Sequence, residues 1–381
     1  MTNLNETGSV FSVLDSVRRN FPISRSEICD ITKLSIPSVS RIVNKLIDNG
    51  YISELEQEYN GLGRKAKLLA IKEGAVYTAG VFYDGNVMKL AIINEVGCVL
   101  ASSSEELPKD GKTPEDIAGI IYSSIKHLFH RENIKLEKLF GIGVALSGII
   151  DNETGMVRFS AVLAWENVAF GQILREVTGI HCVVDNDIKA AAHAECNNRN
   201  YNSDIAVLLY LGEGVGSSVI VERKILRGAT NSAGELGHIA SGSGGILCSC
   251  GKIGCYQTSV TNSFLLFEAR KFAEIQKPTE IFLLPIKKNL WAKRIIDRYI
   301  RHSALLIDTA IGAYNPDTVI LFGDIIDNIP GLFEDICKEY YDNFACDYWR
   351  YPFEIKKSFY DGNSVVAGVG IMASENFFLV V

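Results

Sequence analysis

Apolar side chains recur at helical spacing near the start of the chain, where Val10, Phe11, Leu14 and Val17 share one face and predict a first helix. Ser24 and Glu27 have the S-x-x-E spacing of a capping box, in which hydroxyl and carboxylate satisfy amides left unpaired at a helix start, so a second helix begins there. After a short turn at Lys33-Leu34-Ser35, a third helix has Pro37 in its first turn and Val39, Ile42, Val43, Leu46 and Ile47 along one stripe, with Gly50 as its stop. Tyr51 and Ile52 open a strand, Asn60 to Lys65 form a turn, and Leu68 to Ile71 return. Three helices followed by a hairpin describe a winged helix-turn-helix over residues 1–72.

From about residue 75 the pattern changes. Short β-rich runs ending in glycine clusters alternate with helical stretches, which predicts an α/β architecture. The clearest strands are 141–145, 181–184, 205–211 and 318–322. No repeat at a solenoid period and no low-complexity segment is present.

Charge modifies this picture only when it is divided. The 381 residues carry a formal net charge of −7, which would argue against a nucleic-acid partner. Residues 1–72, however, hold 10 basic and 8 acidic side chains, leaving 28 and 37 for the remainder, so the acidity belongs to the larger part. No apolar run is long enough to span a bilayer, and the opening residues lack a signal-peptide pattern. The cytoplasm is therefore the expected compartment, with no membrane partner.

Two groups of residues suggest chemistry. The outward face of the third helix offers Ser38, Ser40, Arg41, Asn44 and Lys45, polar side chains able to reach phosphates and base edges from the major groove, with Arg41 the foremost base reader. Arg64 and Lys65, beside Gly63 in the hairpin turn, suit a wing tip entering a narrow minor groove. Double-stranded operator DNA is the partner implied, although a solvated helix face with a basic loop would look alike. The second group is His238 with Cys248, Cys250 and Cys255, one imidazole and three thiols close in sequence with glycines between them. Four protein ligands would fill a tetrahedron and leave no open position, so the expected metal is a structural Zn2+. The other six of the nine cysteines have no framework spacing and read as small apolar residues.

Glu235-Leu236-Gly237-His238 followed by Cys248-Ser249-Cys250-Gly251-Lys252-Ile253-Gly254-Cys255 resembles the E-x-G-H and C-x-C-G-x-x-G-C-x-E signatures of the ROK family of repressors, open reading frames and sugar kinases. The resemblance extends over nearly the whole chain, because the family's repressor branch also carries an N-terminal winged helix. It implies two lobes of the actin/hexokinase, ribonuclease H-like type with sugar bound between them: residues 75–190 and residues 191–381, the last helix returning to the first lobe. It also implies sugar contacts at Asn186 and Asp187, at Glu235 and His238, and in the loop at Ser147 and Gly148. Asp187 matches the position of the kinases' catalytic base, although an aspartate before a helix could equally be an N-cap. Gln257 stands where the family signature ends in glutamate, and an amide donates where a carboxylate can only accept. Lys189, just beyond, is expected to point into solvent, the alternative being a contact to an acidic or phosphorylated sugar.

The phosphate-binding elements of the family's kinases are altered. The first hairpin reads Phe82-Tyr83-Asp84-Gly85-Asn86 in place of D-x-G-G-T, and the second loop reads Gly212-Glu213-Gly214-Val215-Gly216 in place of G-T-G-x-G. The third reads Gly323-Asp324 in place of G-G. Since phosphoryl transfer rests on positioning and neutralising phosphate charge, these changes predict no enzyme activity and leave Asp187 a vestigial base used for binding. The reading is thus a sugar-responsive repressor, a homodimer or homotetramer released from DNA by a small sugar. An active sugar kinase with an appended DNA-binding domain, and a regulator controlled by a partner protein, are the alternatives.

Overall fold

The structure is a computed structural model that describes residues 4–55, 67–108, 111–198, 200–241, 246–346, 353–360 and 362–377. The chain divides into two compact units, Met1–Tyr201 with Val365–Val381, and Asn202–Ser364.

The first unit begins with α1 (Leu4–Asn20), β1 (Ile23–Ser24), α2 (Arg25–Thr32), α3 (Ile36–Asp48), β2 (Ile52–Leu55) and β3 (Leu68–Ile71). The capping box at α2 forms in full: Ser24 Oγ accepts from Glu27 N, and Glu27 Oε2 accepts from Ser24 N at 2.8 Å. Ser35 caps α3 with Pro37 in its first turn, and Gly50, at φ +78°, ends it by donating to Ile47 O while Tyr51 N donates to Leu46 O. Val13, Leu14, Val17, Ile28, Val39, Val43, Leu46 and Leu69 close a core of their own, against which Ala75, Val76 and Phe140 also pack. Strand β3 pairs with both β1 and β2, which makes the predicted hairpin a three-stranded sheet, and the turn containing Gly63, Arg64 and Lys65 lies outside the described residues.

The rest of the unit comprises β4 (Tyr77–Tyr83), β5 (Val87–Asn94), β6 (Val99–Glu106), α4 (Pro114–Arg131), β7 (Leu139–Leu146), β8 (Ile149–Asp151), β9 (Met156–Ser160), β10 (Trp165–Val168), α5 (Phe170–Thr178), β11 (His181–Asn186) and α6 (Asp187–Asn197). Its main sheet has the order β11-β7-β4-β5-β6, parallel on the β11-β7-β4 side and antiparallel beyond, while β8, β9 and β10 form a separate small sheet. The chain then makes the second unit: β12 (Ile205–Leu211), β13 (Val215–Val221), β14 (Lys224–Ile225), α7 (Asn262–Ala269), α8 (Pro278–Leu283), α9 (Leu290–Tyr314), β15 (Thr318–Phe322), α10 (Asp324–Asn328), α11 (Leu332–Asn343) and β16 (Glu354–Lys357). The sheet order is β14-β13-β12-β15-β16, and its buried strands β12 and β15 pack against α9, where Tyr299, Leu306 and Ile307 are enclosed.

The final helix, α12 (Ser364–Phe377), belongs to the first unit from Val365 onward. It lies so close to its neighbours that only glycine fits at the crossings. A Cβ at Gly80 of β4 would stand 1.8 Å from Val366 O, one at Gly143 of β7 would stand 2.0 Å from Val369 O, and one at Gly368 of α12 would stand 1.7 Å from Ala190 O of α6. Thr78 Oγ1 anchors the helix further by donating to Gly370 O at 2.8 Å. Helix α6 therefore sits wholly within the first unit, and the division of the chain falls between Tyr201 and Asn202 rather than at the expected 190/191, which would cut a continuous buried helix.

Candidate functional site

The residues singled out from the sequence fall into a helix surface, two sets of polar groups and one thiol cluster. On α3, the buried stripe Val39, Ile42, Val43 and Leu46 turns Arg41, Asn44 and Lys45 outward, where all three are exposed, while Ser38 and Ser40 are half-buried. The Ser38 hydroxyl is paired with that of the N-cap Ser35 at 3.0 Å, so it stiffens the helix start as well as facing outward. Arg25, a cation that the helix-face reading omitted, donates to Asn44 Oδ1 at 3.3 Å and to Glu54 Oε1 at 2.9 Å. Glu54 also takes Lys67, and these two cations hold its carboxyl below the usual range through hydrogen bonds and charge. Position alone could have suggested Arg25, since it opens the helix preceding α3.

In the first unit the structure brings Ser147, Gly148, Asn186 and Asp187 together where β7 and β11, parallel neighbours in register, both end. Ser147 Oγ donates to Asp187 Oδ2 at 2.5 Å, and Asn186 Nδ2 donates to Gly148 O at 3.0 Å. Asn186 is the N-cap of α6, its Oδ1 accepting from the amides of Ile188 at 3.0 Å and Lys189 at 3.1 Å. The cap thus falls on Asn186, one residue before the position considered, and Asp187 opens the helix with its Oδ1 accepting from Ile188 N at 2.9 Å. Both side chains remain half-exposed, as contact with a polyhydroxyl ligand requires. Lys189 is a correction. It is 2% exposed instead of solvent-facing, because α6 is enclosed on most sides, with Ala190, Ala191, Ala192, Ala194 and Cys196 all buried.

In the second unit Glu235 is exposed and immediately precedes a single 3-10 turn, Leu236–His238, while Gln257 is half-buried in a second such turn, Tyr256–Thr258. Tyr256 N donates to Ile239 O at 3.1 Å, which ties the two turns together. Between them the chain folds back so that His238, Cys248, Cys250 and Cys255 place one ligand atom each, all within 4.8 Å of one another. The edges have informative lengths: Cys248 Sγ to His238 Nδ1 is 3.5 Å and Cys250 Sγ to Cys255 Sγ is 3.7 Å. Ion-to-ligand distances of about 2.3 Å for sulfur and about 2.0 Å for nitrogen require tetrahedral edges of roughly 3.8 and 3.5 Å, so the donor set fits such an ion. Because Nδ1 faces the thiols, Nε2 is the imidazole nitrogen left for another partner. Burial and the adjacent sulfurs push the Cys255 thiol up to about 11, while the Lys252 amide beside Cys250 draws that thiol below its ordinary range.

The three altered phosphate elements have definite local roles. Asp84 spends its carboxylate on the β4–β5 turn, accepting from Asn86 N at 2.9 Å and Val87 N at 2.7 Å. Phe82 packs on the small cluster of Ala145, Ala190 and Val369. In the second unit Glu213 is fixed in its glycine loop by Asn262 Nδ2 at 2.9 Å, with Asn262 N donating to Gly212 O at 2.8 Å. Gly323 adopts φ +145° against Leu211, and Asp324 begins α10 directly after it. Two carboxylates therefore stand in or beside these loops of the second unit.

A helical N-terminal unit with a sheet, joined to an α/β body that carries a His/Cys3 cluster, defines a winged-helix protein with a sugar-kinase-like body. The model of the ROK family matches residues 78–376, and the chain belongs to that family. A MarR family model matches residues 6–60. Among named relatives, the xylose repressor of Bacillus spizizenii is 23% identical over 97% of this chain and 95% of its own length. The DNA-binding transcriptional dual regulator NagC of Escherichia coli is 25% identical over 80% of this chain and 77% of its own. Among solved structures, a ROK family transcriptional regulator described as a homologue of the E. coli MLC protein superposes with TM-score 0.81 at 20% identity, covering 99% of this chain and 98% of that one. A ROK family glucokinase from Streptomyces griseus, in complex with glucose and AMPPNP, superposes with TM-score 0.67 at 20% identity over 78% of this chain and 99% of its own. These likenesses extend the fold to both repressors and kinases. Among the described residues, no helix is long and apolar enough to cross a membrane.

Proposed function

We propose that the chain is a cytoplasmic, sugar-responsive repressor that binds double-stranded operator DNA through residues 1–72 and releases it when a sugar inducer binds the ROK body. The observation that carries this reading is the union, in one chain, of the exposed Arg41, Asn44 and Lys45 surface on α3 with a ROK body whose phosphate loops hold Glu213 and Asp324. The named relatives that span most of the chain are repressors and a DNA-binding regulator, which supports the same direction. Arg41 reads a base edge, Asn44 and Lys45 support it, and Ser38 and Ser40 reach phosphates. Arg64 and Lys65 fill the role of wing cations.

Ser147, Gly148, Asn186, Asp187, Glu235, His238 and Gln257 serve as the sugar's hydroxyl partners. Asp187 accepts a hydrogen bond from a sugar hydroxyl without deprotonating it for phosphoryl transfer, because carboxylates at the phosphate loops repel the nucleotide. His238, Cys248, Cys250 and Cys255 hold a structural Zn2+, which fixes the imidazole of His238 and the turns around it and takes no part in chemistry. Homodimers, alone or paired into tetramers, present two α3 helices to two half-sites.

The test is a thermal-shift screen of the full chain against neutral, amino, acidic and phosphorylated sugars, with ATP and magnesium as a separate arm. A ligand that binds only the folded state raises the melting temperature by mass action. A shift with one sugar class and none with nucleotide is expected. A shift with ATP and magnesium would overturn the non-enzymatic reading.

A further inference from the structure

Helix α6 has a polar attachment at each end, and both lie in the first unit. At its start are Asn186 and Asp187, held by Gly148 and Ser147. At its end Asn197 Oδ1 accepts from Arg18 Nη2 of α1 at 3.0 Å, and His193 Nε2 stands 3.0 Å from Glu375 Oε2 of α12. Glu375 Oε1 in turn faces Arg18 at 3.5 Å and Arg19 at 3.8 Å. Eleven residues at helical rise make α6 about 16 Å long, a rod with sugar-type ligands at one end and the first helix of the DNA-reading element at the other.

The seam has a graded construction. Arg18 is bound tightly to Asp15 of its own helix, at 2.8 and 3.2 Å, while its contact with Glu375 is looser. Arg18 has a side chain only 3% exposed, and a buried cation stripped of every partner would be strongly unfavourable. Asp15 travels with it on α1, so parting α1 from α6 and α12 leaves the guanidinium compensated. An apolar seam would lack this property, since its contacts are either made or lost. A junction with a partner fixed on its own helix, Asp15, and exchangeable partners across the seam, Asn197 and Glu375, admits two arrangements at modest cost, as a switch requires.

We propose that Glu375 and Asn197 are positioning residues that couple the sugar-ligand end of α6 to the placement of α1, and through it to DNA affinity. This rests on the repressor reading above. Sugar at Asn186 and Asp187 shifts α6 along its axis, His193 and Asn197 move with it, and the grip on Arg18 and Arg19 changes.

The experiment measures, on the full chain, the affinity for a DNA duplex selected by the wild-type protein from a randomised pool, with and without D-xylose, N-acetyl-D-glucosamine or D-glucose. Coupling between two sites typically amounts to about 5- to 150-fold. Glu375→Gln and Asn197→Ala are expected to bring the ratio of the two affinities towards one while leaving sugar affinity and sugar-free DNA affinity within about twofold, and Glu375→Asp is expected to restore part of the ratio. Variants that keep the wild-type ratio, or that lose sugar or DNA binding itself, would overturn the proposal. Should the variants fail to fold, hydrogen exchange on the wild type decides: sugar must alter amide protection in α1 and the second half of α6, and unchanged protection there refutes the coupling. A wild-type ratio of one with all three sugars would instead remove the repressor reading, and this inference with it.

Discussion

Replacing Gly368 by alanine tests how tightly α12 and α6 are locked. The added methyl would lie 1.7 Å from Ala190 O, 2.5 Å from Ala190 C and 3.1 Å from Ala194 N, all backbone atoms that no side-chain rotation can move aside. An ordinary contact needs well over 3 Å, so the helices must part by more than about 1 Å, and such overpacking costs roughly 3 kcal/mol or more. Alanine in a helix recovers about 1 kcal/mol relative to glycine, leaving a net loss of about 2 kcal/mol. For a unit of this size each kcal/mol moves the melting temperature by about 2–4 °C, so its transition should fall by about 4–8 °C. Gly119 in α4 and Gly312 in α9 are the controls, because a Cβ at either would meet nothing within 4 Å. There the propensity gain acts alone and stability should rise by a few tenths to 1 kcal/mol. Calorimetry or urea unfolding of the three variants side by side checks the argument. A Gly368→Ala protein as stable as the Gly119→Ala protein would refute the close approach of α12 and α6.

Cys250→Ser should lose bound zinc, read by metal analysis of the purified protein, and should lower the stability of the second unit; retained stoichiometric zinc would remove Cys250 from the ligand set. Burial opposes ionisation of Glu375, but the His193 charge and the two arginines overcome it and hold its carboxyl down to about 2, against an ordinary 4.5. With the folded value depressed, the stability it contributes is complete above about pH 4.5 and is lost as pH falls towards 2, at most about 3 kcal/mol, and Glu375→Gln should flatten acid unfolding over that window. Arg41→Ala should cost about 1–3 kcal/mol of DNA affinity with relaxed base preference, whereas Lys45→Ala should weaken all sequences alike and lower the salt slope by about 1. Binding assays across salt concentrations separate the two, and equal effects would exchange or remove these roles.

Local rules made the N-terminal elements legible. The Ser24–Glu27 box, the buried stripe of α3 and the strands at 141–145, 205–211 and 318–322 all depend on residues within a few positions of each other, and each lies where the pattern placed it. The thiol cluster was legible for the same reason, since its ligands lie within eighteen positions, from 238 to 255. What escaped were pairings across long separations. Nothing near Arg18 announces Glu375, and nothing near Ala190 announces that Gly368 will press against it. Lys189 failed for a related reason: a lysine next to alanines looks solvated until distant parts of the chain bury that face. The capping role considered as an alternative for Asp187 falls to Asn186, because either residue type can cap and the pattern alone does not say which stands at the turn.

The attachment of α1 to α6 and α12 has a consequence for exchanging heads between relatives. A cut near residue 72 would look natural from the chain, yet it would carry Asp15, Arg18 and Arg19 away while leaving Glu375, His193 and Asn197 behind, and would split Val76 and Phe140 from the core they help to close. A functional graft must therefore transplant a discontinuous set: the first helices, the following strand with Phe140 opposite it, and the far end of the polypeptide. Operator preference and inducer response would then be inherited together, and drift in one would be checked by the need to keep the other in register.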